Sequence, residues 1–223
     1  MTAPTTTDSE YDDTPAAPDE DGRAPASRYG VLALAVMVVV GLLLGYAGGL
    51  LTPRLTRPGD ASVEAGFARD MTTHHAQAVE MSLIAYRSAT LPEVRQIAVD
   101  IATGQQGEIG AMQTWLREWG LSPTGSKPPM SWMSDGASVK NGLMPGMATP
   151  QQMTALRDAT GIEVDRQFLK LMYDHHLGGI HMIDAALDET DNAEVVRVAQ
   201  TMKNTQQTEL NNLRQLQAQA AKG

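Results

Sequence analysis

Two pairs of adjacent histidines, His74 with His75 and His175 with His176, each stand between methionines: Met71 and Met81 around the first pair, Met172 and Met182 around the second. Imidazole nitrogen and thioether sulfur are neutral, polarisable donors, so together they suit a soft metal ion better than a hard, oxygen-seeking one. At about 100° per helical residue, each set of four falls on one arc of about 120°. That arc also carries the apolar stripe of Phe67, Ala78 and Ala85. One buried histidine is commonly a packed core residue, and a methionine stripe is commonly plain packing. Two duplicated His–His–Met sets point instead to metal binding.

The chain has 13 Met and no Cys, which removes thiolate zinc sites, iron–sulfur clusters, disulfides and thiol nucleophiles from consideration. Clustered carboxylates for calcium are absent from the histidine arcs, and the paired Glu-x-x-His motifs of a di-iron bundle do not occur. Copper is the metal that fits, in its soft Cu(I) state. A chain without thiols also suits an oxidising compartment, where thioethers persist as ligands.

A second pair of segments must face these arcs. Val94, Ile97, Ile101, Met112, Trp115 and Leu116 form an apolar face that also contains Gln105 and Glu108, and the later copy repeats them as Gln206 and Glu209, beside Met202. Polar groups turned into a core need partners. The imidazoles are the expected ones, since a metal-binding histidine commonly has its second nitrogen held by a carboxylate or amide. Ala78 and Gly179 are expected to leave room at the centre of each arc. His181, off the stripe and in the place of Glu80, is an outer ligand or a surface residue.

These segments belong to an internal repeat. Shifted by 101 residues, Phe67–Glu118 aligns without a gap to Phe168–Gln219, with 12 of 52 pairs identical. Each unit reads as helix, short break, helix. Thr90 with Glu93, and Asp191 with Glu194, predict capping boxes for the second helix of each unit. Thr149-Pro150-Gln151-Gln152 predicts a further helix start, and Gly161 a break after it. No useful period-two alternation follows residue 60, so strands are not expected. The fold class is all-α: a ferritin-like four-helix bundle over 60–223, built from repeat one (60–120), a crossover (121–149) and repeat two (150–219). The crossover carries Met130, Met133, Met144 and Met147 among Pro, Gly and Ser, and a loop of this length is functional or mobile.

Ahead of the bundle lie an acidic tail (1–28), an apolar segment (29–52) and a linker (53–59). The tail has seven acids against Arg23 and Arg28 and no apolar run, the composition of a disordered segment. Tyr29 to Thr52 is 24 residues without a charge, enough for a transmembrane helix. Its position and flanks fit an uncleaved anchor better than a signal peptide. Arg23 and Arg28 balance Arg54 and Arg57, so charge does not orient it. Gly41, Gly45 and Gly49 are either a face on which two anchors form a homodimer or the ordinary glycine content of a membrane helix. A net charge of −9 excludes nucleic acid as a natural partner.

The motifs Met71-x-x-His74-His75-x-x-Ala78-x-x-Met81, Gly142-Leu143-Met144-Pro145-Gly146-Met147-Ala148-Thr149 and Phe168-x-x-x-Met172-x-x-His175-His176-x-Gly178-x-x-x-Met182 resemble domain-of-unknown-function family 305. This is a family of ferritin-like four-helix proteins that includes CopM-like periplasmic copper-binding proteins. The resemblance spans about residues 60–219. It implies an extracytoplasmic module for copper tolerance or trafficking, on a single-pass anchor in the cell membrane with the acidic tail in the cytoplasm. Two other readings stay open: a haem-binding bundle with His and Met ligands, and a metal-free structural or signalling bundle. No nucleophile, base and orienting group can be read together, so an enzyme is not expected.

Overall fold

In the computed structural model, residues 28–55, 57–134 and 139–222 are described, and the acidic tail lies outside them apart from Arg28. The chain divides into two compact units, 1–56 and 57–223. The first contains helix α1, Arg28–Leu55. Its stretch Gly30–Leu50 is long and apolar enough to cross a membrane, and lies near the N-terminus, where a signal sequence has the same character. Every side chain from 30 to 50 is exposed.

The second unit holds α2 (Val63–Ser88), α3 (Pro92–Trp119), α4 (Pro150–Asp158), α5 (Ile162–Glu189) and α6 (Ala193–Ala220). Among the described residues there is no strand, only one isolated bridge between Lys140 and Leu143. Several helix ends fall where the sequence supplies a device. Ser62 accepts from the Ala65 amide at the start of α2. Gly120 ends α3 in the left-handed region at φ 74°. At the helix start predicted for α4, Thr149 and Gln152 form a capping box that the sequence reading did not name, and Gly161, at φ 58°, separates α4 from α5.

Two capping expectations are corrected. Thr90 does not cap α3: its amide and hydroxyl both donate to Asp165 Oδ2, at 2.8 and 2.5 Å, and the Leu91 amide donates to Asp165 Oδ1 at 2.9 Å. The fully buried carboxylate at the start of α5 takes all three donors, and a charged acceptor outcompetes the local motif. At α6 the cap is Asn192, one residue later than expected, accepting from the Glu194 and Val195 amides.

At the other end of the α2–α5 pair, Thr190 donates to Glu64. Asp165 and Glu64 are repeat equivalents, 101 residues apart. The start of each central helix thus grips the turn that follows the other, which makes α2 and α5 antiparallel and the two hairpins related by a pseudo-twofold axis. Helix α3 packs on α2, and α6 on α5, completing a four-helix bundle.

Two side chains on either side of His74 tie the crossover to α2. Asp70 Oδ2 accepts from the Met130 amide at 2.7 Å and from Trp132 Nε1 at 2.8 Å. Gln77 exchanges two hydrogen bonds with the Ala148 backbone, at 2.9 and 2.7 Å. These anchored stretches are bonded parts of the fold.

Candidate metal centre

The paired bundle halves bring four imidazoles into one layer. His74, His75, His175 and His176 are all at most 1% exposed. The inner two, His74 and His175, meet where α2 crosses α5, with ring centroids 3.8 Å apart and planes 36° from parallel. The outer two turn to the flanking helices. His75 Nε2 donates to Glu108 Oε2 at 2.8 Å, and His176 Nε2 donates to Glu209 Oε2 at 2.6 Å. The carboxylate partners expected from the repeat are therefore in place, in the same register twice.

The inner rings bond to the backbone. His74 Nε2 donates to the Pro145 carbonyl at 2.9 Å, and His175 Nε2 donates to the His74 carbonyl at 3.0 Å. A carbonyl only accepts, so Nε2 carries the hydrogen in both rings. Burial pushes the His74 pKa down to about 3, against a small upward pull from its bond to Pro145. Burial, followed by repulsion from the neighbouring imidazoles, holds His175 well below the ordinary imidazole value. Both rings are neutral at physiological pH, and each keeps its lone pair on Nδ1.

The Nδ1 atoms of His74, His75 and His176 are buried without a hydrogen-bond partner. Gln105 Nε2 and Oε1 and Gln206 Nε2 are in the same condition. The expected pairing of glutamines with imidazoles is thus not made. Buried polar atoms are nearly always satisfied, and the three orphan imidazole Nδ1 atoms, each with a free lone pair, are donors that fit a soft ion; of the glutamine atoms only Gln105 Oε1 could add a donor, since an amide nitrogen has no lone pair to give. At Gly179 the expected open room is taken by neighbours. A Cβ there would lie 2.6 Å from Gln206 Oε1 and 3.4 Å from His74 Cε1, so the missing side chain admits the glutamine.

The methionines group across helices. Met71 and Met182 share one packed cluster with Met112, Met202 and Met144, while Met81 and Met172 belong to a second cluster. The antiparallel crossing explains this, since it sets the start of one arc against the end of the other. Met147 packs at the edge of the first cluster, and exposed His181 lines a cavity with Met144 and Met147. Among the described residues no three His, Asp or Glu side chains converge on a metal position, so a tightly held ion needs sulfur or amide donors as well. The His74 and His175 rings, tilted by 36° with centroids 3.8 Å apart, leave no slot between those two rings for a haem macrocycle; the exclusion concerns that pair and not a haem held by His and Met.

Sequence reasoning missed Pro145, because a backbone carbonyl has no residue-type signature. It also missed why Gly178 is glycine. A Cβ at Gly178 would stand 2.0 Å from the Pro145 oxygen, and one at Gly146, which has φ 77°, would stand 2.4 Å from the Asp174 oxygen. These two glycines let the crossover lie directly on α5 and aim its carbonyl at His74. The available signal was Gly178 in mid-helix, where glycine is unfavourable unless another chain segment approaches closely.

Fold and site together define a His- and Met-lined four-helix bundle assembled from two hairpins. Residues 64–217 match the family described as domain of unknown function DUF305, and the chain belongs to that family. Among solved structures, a putative secreted DUF305 protein from Streptomyces coelicolor is 39% identical, with 73% of this chain and 96% of that one covered, at a TM-score of 0.68. A DUF305 fragment from Deinococcus radiodurans is 29% identical, with 70% and 96% covered, at 0.61. CopM in its Cu(II)-bound form is 26% identical, with 71% and 97% covered, at 0.55. No curated protein matches the chain.

Proposed function

We propose that this protein binds copper as cargo, as Cu(I), through Nδ1 of the histidine layer and the thioethers of Met71, Met81, Met172 and Met182, and that it sequesters the ion or hands it on. The carrying observation is the set of buried, unpartnered Nδ1 atoms on rings whose Nε2 atoms are bonded to oxygen. Glu108 and Glu209 hold and orient the outer rings, and the Pro145 carbonyl holds His74. Gln105, Gln206, Met112, Met202 and Met144 stand behind these donors. CopM, a relative of the same fold solved with Cu(II) bound, supports copper as the metal. The role is binding, with no chemical transformation.

In this reading α1 anchors the chain in the cell membrane in a single pass, with the bundle on the extracytoplasmic side and the tail in the cytoplasm. The apolar helix and the secreted S. coelicolor relative support that placement. The test is competition for Cu(I) against a chromophoric chelator, using the full-length chain in detergent micelles. A variant with His74, His75, His175 and His176 changed to Ala is measured beside it, with helicity checked by circular dichroism. Wild type should hold Cu(I) tightly and the variant should not. Equally weak binding by both would leave the metal-free structural bundle as the better reading.

A further inference from the structure

The histidine layer is buried, and an ion leaving bulk water must first be met by a group at the surface. Met144, Met147 and His181 line one cavity, of about 540 Å³, between the crossover and α5. His181 is exposed and Met147 half-buried, so both can be reached from solvent. Met144 is only 6% exposed, yet it lines the same cavity and also belongs to the packed cluster of Met71 and Met182. Between the two crossover methionines sits Pro145, whose carbonyl accepts from His74 Nε2. The segment that lines the outer cavity is therefore bonded directly to the inner layer.

We infer that Met144, Met147 and His181 form a second, solvent-facing site that captures a soft monovalent ion and passes it, by way of Met144, to the buried layer. It rests on the copper reading only for the identity of the cargo. The donor set is two thioethers and an imidazole, a soft set, and among the described residues no carboxylate lines the cavity. Lys140 lies on the same rim, and its charge disfavours a divalent ion more than a monovalent one. Met144 is the step between the two sites because it touches both environments. Gly178 and Gly146 hold the strand of crossover that carries it against α5.

The test uses Ag(I), a closed-shell stand-in for Cu(I), added below one equivalent to full-length protein with labelled methionine methyl groups in detergent micelles. NMR should show the Met144 and Met147 methyl signals moving, while Zn(II) leaves them in place. The same shifts should appear in the variant lacking all four buried histidines. The wild-type spectrum decides the outer site on its own if that variant fails to fold. Unmoved Met144 and Met147 signals would overturn the outer site whether or not the buried layer binds. Shifts there with no binding at the histidine layer would uphold the outer site and sink the buried one. In stopped-flow loading with Cu(I), Met147→Leu/His181→Gln, which leaves Met144 and the buried donors in place, should fill the buried layer at least about tenfold more slowly, with its equilibrium affinity retained. The Met-to-Leu change conserves volume, so the fold is expected to survive it. Unchanged loading would refute the transfer step.

Discussion

The two hairpins are alike where they hold the outer imidazoles and unlike where they meet the crossover. His75–Glu108 and His176–Glu209 are the same interaction built twice. At the crossover the equivalents diverge: Gln77 in the first repeat corresponds to Gly178 in the second, and Glu80 to His181. Gln77 holds the crossover by hydrogen bonds, whereas Gly178 holds it by having no side chain. Holding the rings was duplicated, and covering them was divided between the copies.

The inner rings provide the largest test. His74 and His175 are neutral in the folded bundle, with His74 pushed down to about 3, whereas in the unfolded chain imidazoles charge near the ordinary value of 6.5. The unfolded state then binds more protons between these values. Stability of the metal-free bundle should be complete above pH 6.5 and fall as the pH drops towards 3, with a slope approaching about two protons. Urea midpoints across this range check it, and a flat profile would show that burial of the two rings is not shared.

Gly178→Ala is expected to destabilise the bundle by about 4 kcal/mol, combining overpacking against Pro145 with the loss of the His74 bond. Gly104→Ala, where a Cβ meets nothing within 4 Å, should be neutral or stabilising by about 0.5–1 kcal/mol. Chemical denaturation of both variants separates close approach from helix propensity, and equal effects would refute the role assigned to Gly178.

The paired grips at the bundle ends differ in strength. Asp165→Ala strands three donors and should cost about 3 kcal/mol, whereas Glu64→Ala removes one hydroxyl bond and should cost about 1 kcal/mol. Thermal unfolding of the two variants should rank them in that order.

The smallest effect tests the likeness itself. Glu108→Gln and Glu209→Gln should each weaken Cu(I) binding by about tenfold, as loss of a group orienting a metal-binding histidine commonly does. Chelator competition should find the two variants equal within about twofold. A large inequality would show that only one outer ring binds.

Much of this was legible in residue types. The four-and-three spacing of Phe67, Met71, His74, Ala78, Met81 and Ala85 fixes one helix face, and the copy 101 residues later fixes a second. The pairing of Glu108 and Glu209 with the outer imidazoles followed, because a carboxylate turned into an apolar face has few other places to go. The glutamines did not follow, since their amides stay unpaired beside the rings. The Thr90–Glu93 pattern was overruled by Asp165, which lies 75 residues away and is invisible to a local motif. The grouping of Met71 with Met182 depended on the direction in which α2 and α5 cross, which periodicity does not specify.

Sequence separation also sets an order of assembly. Each hairpin closes through a short turn, so α2 with α3 and α5 with α6 can form from local contacts. The bonds that complete the layer span 71 residues, from His74 to Pro145, and 101 residues, from His175 to His74. Long loops close late in folding. A chain still being synthesised therefore has its histidines in hand before it has the crossover seated over them, and the finished layer exists only once the last segment has docked.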